Sequence, residues 1–296
     1  MLNTLKENGL ELVSDYKENE ELRNSLFELA QKTFCIDFNP WWRNGFWGGN
    51  CIPYSIVHEK RVVANVFVNH MHFRTDEIET YFIQLGTVMT EEAYRGRGLI
   101  GMLVERIFEE YEAGADGIYL FANDSVLNFY PKFGFKRAQE YQYSKAVCEA
   151  GKRSVAKVSM ETSGDYGDFV KKLAVYKANG SFCMEKNSEL ILFYLISPMK
   201  DCVYYIEQAD AYVVAEIKGD TLLLHEIFSK QEADIDEVVR AFGGGVSRAV
   251  LGFSPKRMDG FEISVSEEED TTLFIRGDGF SNFSAGKKRF PILSHA

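Results

Sequence analysis

The sequence predicts an α/β fold in which antiparallel strands lead, through a glycine-bearing loop, into strand–helix–strand–helix–strand order. Three observations carry that reading. "RVVANVFVNHMHF" alternates, with Val62, Ala64, Val66 and Val68 on one face and Val63, Asn65, Phe67 and Asn69 on the other. "YFIQLGTVMT" runs into the loop "EEAYRGRG", after which apolar residues return at helical spacing: Leu99, Leu103 and Ile107 beside Ile100, Val104 and Phe108. "GIYLFAN" then has the length and composition of a buried strand.

The remaining elements follow in order. "LELVSDY" is a short strand, and "NEELRNSLFELAQKTF" a helix with Leu22, Leu26, Leu29 and Phe34 near helical spacing and acidic residues in its first turn. "CIDFNPWWRNGFWGGNCIPY" is irregular and holds all three tryptophans. "YSIVHE" pairs with the alternating strand across a polar turn, and "RTDEIE" makes the next turn. After "GIYLFAN", "SVLNFYPKF" is a short helix stopped by Gly134, and "FKRAQEYQYSK" the final strand. The expected architecture is a mixed, mostly antiparallel sheet flanked by helices, a domain of about 145 residues.

This divides the chain into 1–147 and 148–296, with "KAVCEAGKRS" as a short linker. The second half echoes the first. "CVYYIEQADAYVVAEI" has the form of a hairpin, "TLLLHEIFSK" of the strand after it, "QEADIDEVVRAFG" of a helix and "RAVLGFS" of the next strand, with no Arg-Gly-Arg-Gly between them. A smaller α+β domain, a degenerate repeat without that loop, is expected; the alternative is an unrelated α+β domain.

Composition narrows the partners. The net charge is −11, spread evenly over both halves, so no basic face for nucleic acid is expected, and a cationic small molecule or peptide suits the chain better than a polyanion. The five cysteines are widely spaced and form no C-x-x-C pair, which supports neither a disulfide framework nor a zinc ribbon. His70 and His72 share a strand face without a third ligand nearby, and no metal is expected. The amino-terminal stretch is too charged for a signal peptide and no apolar run suits a membrane span, so the expectation is a cytoplasmic protein with no membrane partner, compatible with a homo-oligomer.

The loop raises the chemical question. The first N–H groups of a helix lack internal partners and the helix dipole favours an anion there. Gly96 and Gly98 let the backbone approach phosphate oxygens, and Arg95 and Arg97 add charge. The alternative is a glycine-rich turn that merely starts a helix. Gly86, inside the preceding apolar strand, marks a bulge or a close backbone approach.

"LGTVMTEEAYRGRGLIGMLVERI", followed by "ANDSVLNFYPKFGF", resembles the GCN5-related N-acetyltransferases (GNAT), which transfer acetyl from acetyl-CoA to amines. That family's loop pattern, Q/R-x-x-G-x-G/A, falls on Arg95, Gly96, Arg97, Gly98, Leu99 and Ile100, with isoleucine where the family has Gly or Ala. Its second element falls on Asn123, Tyr130, Gly134 and Phe135. The resemblance implies that N–H groups from Arg95 to Ile100 hold the pyrophosphate of acetyl-CoA. Main-chain groups of Val88 and Met89 would pair with the pantetheine arm, and one of their N–H groups would stabilise the oxyanion.

Tyr130 is the expected general acid toward the departing thiolate, the alternative being a core tyrosine. Asn123 is a ligand-facing amide, a helix cap, or both. Some family members carry a catalytic Glu where Phe82 stands here, so Gln84, on the same face, is expected to position a water in place of a base. Trp41, Trp42 and Trp47, with Tyr54, lie where acceptors bind in related enzymes and would form an aromatic wall for a primary amine of a small molecule or peptide; the alternative is a hydrophobic cluster pinning the loop. The terminus "KKRFPILSHA" is expected to fray, unless Ala296 or His295 supplies the base as in some multidomain relatives. The rival to an N-acetyltransferase is a non-catalytic acyl-CoA-binding sensor.

Overall fold

The computed structural model describes residues 9–147 and 151–296. Residues 148–150, the middle of the expected linker, lie outside the described residues. Two eight-stranded sheets and six helices account for most of the rest.

The first sheet begins with β1 (Leu10–Ser14), β2 (Cys51–His58), β3 (Arg61–Thr75) and β4 (Ile78–Thr90), all antiparallel, and continues with β5 (Gly117–Ala122) parallel to β4. Helix α1 (Glu20–Phe34) follows β1, started by the Asn19 side chain, which accepts from the Leu22 N–H. The irregular segment contains one short helix, α2 (Asn39–Arg43), with Pro40 in its first turn. Helix α3 (Leu99–Tyr111) links β4 to β5 and buries Leu99, Leu103, Val104 and Ile107.

The expected alternation along β3 breaks once. Val63 is left over where Ile56 pairs with Ala64 and Val57 with Val62, so the strand bulges there. Val63, Ala64, Val66 and Val68 consequently share the core under α3, while Val62 joins Phe67 on the opposite face. The expected helix at "SVLNFYPKF" is instead two 3-10 turns, Asp124–Val126 and Tyr130–Phe133, because Pro131 cannot donate to a continuing α-helix. Gly134, at φ +80°, ends the second turn as expected.

In the second sheet, β8 (Val155–Lys157), β11 (Val203–Ile206), β12 (Ala211–Lys218) and β13 (Thr221–Ser229) are antiparallel, and β14 (Arg248–Leu251) runs parallel to β13. Helix α6 (Ile235–Ala241) joins those two, in the place α3 has in the first sheet. Helices α4 (Ser163–Leu173) and α5 (Ser188–Ile196), with the short strands β9 (Lys177–Ala178) and β10 (Cys183–Glu185), lie between β8 and β11 in sequence; β10 crosses over to pair with β3.

The final strands are exchanged. The expected strand "FKRAQEYQYSK" splits into β6 (Lys136–Arg137) and β7 (Tyr141–Ala146). β7 crosses into the second sheet, between β14 and β15 (Glu262–Val265). In return β16 (Thr272–Arg276) enters the first sheet between β5 and β6. Neither 1–147 nor 148–296 therefore holds a complete sheet.

Three buried clusters result. One lies between α3 and the first sheet, one between α6 and the second sheet, and the largest is shared by the other faces of both sheets with α1, α2, α4 and α5. Burial of this shared apolar surface favours keeping the halves together.

Candidate active site

β4 and β5 pair only from Phe82–Gly117 to Gln84–Tyr119. Beyond that point β5 pairs with β16, and β4 continues along β3, so a V opens between them. At the same level Thr87 and Val88 of β4 face the single residue Val66, a bulge with Thr87 at φ +43°. The bulge lies one residue beyond Gly86. Gly86 itself is the close approach: a Cβ there would stand 2.5 Å from the Ala296 carbonyl oxygen and 2.8 Å from the Asn69 amide nitrogen.

The loop leaving the V is exposed from Arg95 to Gly98. Gly96 (φ +75°) and Gly98 (φ +74°) are left-handed, and a Cβ on either would meet nothing within 4 Å, so both the conformation and the open space suit an approaching ligand. Gly98 is the N-cap of α3 and offers no side-chain cap, and no acidic residue stands in the first turn. The helix thus presents bare N–H groups and the positive end of its dipole. Arg97 lies over the Tyr94 ring at 4.7 Å and donates to the Ala93 carbonyl (3.0 Å); Arg95 donates to the Thr90 carbonyl. Ile100 packs against the core under α3, and Gly101, one position later, sits close to Phe133.

Tyr130 is 4% exposed, packed against Phe129, Phe135 and Phe274. Burial pushes its pKa up to about 12, so the hydroxyl stays protonated across neutral pH. Asn123 is exposed at the end of β5 and its side chain makes no cap bond; the turn that follows is held instead by Asp270, which accepts from the Asp124 N–H at 2.9 Å.

Gln84 is placed differently from the expectation of a water-binding amide. Its oxygen accepts from the Ala296 N–H (2.8 Å), and its NH2 donates to the Ser294 carbonyl (2.9 Å) and the Tyr119 hydroxyl (3.1 Å), in the amide orientation that satisfies both ends. Gln84 therefore clamps the segment from Ser294 to Ala296. The segment is anchored rather than frayed: Leu293 and Ser294 are buried, Tyr194 donates to the His295 carbonyl, and the His295 ring stacks on Phe121 at 3.8 Å. Burial lowers the His295 pKa to about 3, and its Nε2 has no hydrogen-bond partner among the described residues.

Of the four aromatic residues expected to wall an acceptor site, the three tryptophans cluster and Tyr54 stands apart. Trp41 and Trp47 stack on each other at 5.8 Å and are buried, their indole N–H groups donating to the carbonyls of Glu189 and Cys51. Trp42 is half-buried under the Arg23 guanidinium. Tyr54 lies on the opposite face of the sheet, hydrogen-bonded to Tyr111. Trp41 pins α2 to α5 and Trp47 ties the irregular segment to β2, because a buried indole N–H needs an acceptor and these carbonyls supply one. Phe82 is buried and stacked on Phe280.

Sequence reasoning missed Asn65, Asn69, Tyr119 and Ser294, which surround Gly86 and Gln84. The legible signal was two asparagines inside a valine-rich strand, since buried amides require partners.

The acetyltransferase (GNAT) domain family matches residues 17–138, which span β2 to β5, the loop and both 3-10 turns. No curated protein matches the sequence. Among solved structures, a protein of Enterococcus faecalis described as a probable N-acyltransferase superposes with a TM-score of 0.60 at 15% identity, covering 90% of this chain and 72% of its own. A GCN5-related N-acetyltransferase from Kribbella flavida gives 0.57 at 17% identity, with 90% and 70% covered. Eis1 from Mycobacterium abscessus gives 0.56 at 13%, with 93% and 75% covered. These likenesses establish a shared two-sheet fold. Residues 17–138 thus match the acetyltransferase (GNAT) domain family, and the whole chain shares the fold of these structures.

Proposed function

We propose that this protein transfers acetyl from acetyl-CoA to a primary amine of a small molecule or peptide, by direct attack of the amine on the thioester. The observation that carries the reading is the bare start of α3. Two left-handed glycines and uncapped N–H groups stand at the mouth of the V between β4 and β5. The N–H groups from Arg95 to Ile100 would hold the pyrophosphate, with charge added by Arg95 and Arg97. Main-chain groups of Val88 and Met89 at the bulge would take the pantetheine arm, and Asn123 would face the ligand from β5. Acetyl-CoA brings the activated acyl group; the chain's part is to hold it and manage the protons.

Polarising the thioester carbonyl falls to an N–H of the bulge. Protonating the thiolate falls to Tyr130, which burial keeps protonated at neutral pH. Phe82 supplies no base, so the amine reacts in its unprotonated form and sheds its proton to water as the new bond forms.

Calorimetric titration with acetyl-CoA, with CoA as comparison, is the direct test, followed by thiol release over a panel of amines. Saturable binding and amine-dependent thiol release support the reading. Binding with no release across the panel would make the protein an acyl-CoA sensor, and no binding by folded protein removes both readings.

A further inference from the structure

Thr87 is a β-branched residue held at φ +43°, a strained conformation that persists only where its surroundings impose it. The surroundings are a buried chain of polar groups with a fixed direction. Asn65 donates from its amide nitrogen to the Thr87 carbonyl (3.2 Å). Its amide oxygen accepts from the Ser55 hydroxyl (2.9 Å), which leaves the Tyr16 hydroxyl to donate to Ser55 (2.6 Å). Asn65 and Ser55 are fully buried, and Tyr16 nearly so. Burial also raises the Tyr16 pKa, so its proton stays on as the head of the chain. Such a network is high-stakes: with every member satisfied it fixes one geometry, and with one removed it leaves buried groups unpaired.

We propose that Asn65 is a positioning residue for acyl transfer: through the Thr87 carbonyl it sets the β4 bulge and so aims the Val88 and Met89 N–H groups. The inference rests on the acyl-transfer reading for its link to turnover, while its structural half stands on the bulge alone. Asn65 touches no reacting atom. It acts by deciding where Thr87 turns, and Ser55 and Tyr16 act by deciding which way the Asn65 amide points.

The test uses three variants of the full chain. In Asn65→Asp the ionised carboxylate cannot donate to the Thr87 carbonyl, whereas the protonated acid can. Turnover by this variant should therefore rise as pH falls through the titration of the new carboxyl, a limb absent from the unmodified protein. Asn65→Ala should lower kcat roughly tenfold or more at every pH, with KM for acetyl-CoA within threefold. In a Thr87→Gly background, where a left-handed residue is unstrained, the same Asn65→Ala change should cost much less. Parallel pH profiles for Asn65→Asp and the unmodified protein, or an equal Asn65→Ala loss in both backgrounds, would overturn the proposal. Should Asn65→Asp fail to fold, the Asn65→Ala and Thr87→Gly pair still decides it. A readout without substrate separates this inference from the functional reading. In Asn65→Ala the backbone amide signals of Thr87, Val88 and Met89 should move in NMR spectra while those of Gly96 to Leu99 stay. Unmoved bulge signals sink the proposal even in an active enzyme. Moved signals in a protein that ignores acetyl-CoA keep Asn65 as the setter of the bulge and discard only the acyl-transfer reading.

Discussion

Two loops in the same topological position lead from the inner strand of each sheet into a helix, and their chemistry is opposite. After β4 the chain enters α3 through Gly98, with no side-chain cap and no acid in the first turn. After β13 it enters α6 through Asp234, whose carboxylate accepts from the Asp236 N–H, with Asp236 and Glu237 following. The first arrangement leaves N–H groups and dipole for an external anion. The second satisfies them internally and adds negative charge. The fold is shared between the halves, and the difference lies in what each helix start leaves unfilled.

The comparison extends along both sheets. β13 and β14 also part after a short parallel pairing, Thr221–Arg248 to Leu224–Leu251, and β13 bulges at His225. One segment occupies both openings. Ile292 hydrogen-bonds to the Gly252 carbonyl at the end of β14, and Ala296 packs on Gly86 of β4. Glu140, in the link between β6 and β7, accepts from the Phe290 N–H, tying this segment to the exchanged strands.

The exchange gives the largest expected effect. Phe274 of β16 is fully buried against Tyr130 in the first sheet, so Phe274→Ala should cost about 3–5 kcal/mol. In denaturant the loss should appear as one shifted transition for both sheets; two separated transitions would mean that the halves fold independently. Next comes Tyr130→Phe, with kcat expected to fall roughly 100-fold and calorimetric acetyl-CoA affinity to stay within threefold. Unchanged turnover would remove Tyr130 as the acid. Third, Gly98→Asp gives α3 the kind of start that α6 has, and acetyl-CoA affinity should fall roughly 30-fold. Gly98→Asn, which tolerates the left-handed backbone without adding charge, should fall much less, so equal losses would point to strain instead of charge. The smallest effect lies in the other half. Asp234→Ala should cost about 1 kcal/mol of stability and leave the calorimetric stoichiometry at one acetyl-CoA per chain.

Much of the first half was legible because its signals are local. The alternation in β3, the apolar stripe of α3 and the helical start at Asn19 each involve residues within a few positions of one another. The Arg-Gly-Arg-Gly loop was legible for the same reason: a left-handed glycine at a helix start is a property of the local chain. The tryptophans were left between two readings because an indole suits an acceptor wall and a core equally, and only the carbonyl opposite its N–H, Glu189 for Trp41, separates the two. Gln84 was misplaced because two of its partners, Ser294 and Ala296, lie about 210 positions away in the chain.

Sequence by itself determined the order of strands and helices, the two echoing halves and the loop left open to an anion, since backbone propensity, periodicity and capping act over a few residues. Only the tertiary structure decided which sheet each final strand joins. β5 and β14 offer equivalent unpaired edges, and hydrogen-bonding groups on a strand edge carry no record of which half of the chain should meet them. It also decided that Gln84 meets Ala296 and that Asn65 meets Thr87, because contacts between residues remote in sequence are fixed by where the packed layers bring them.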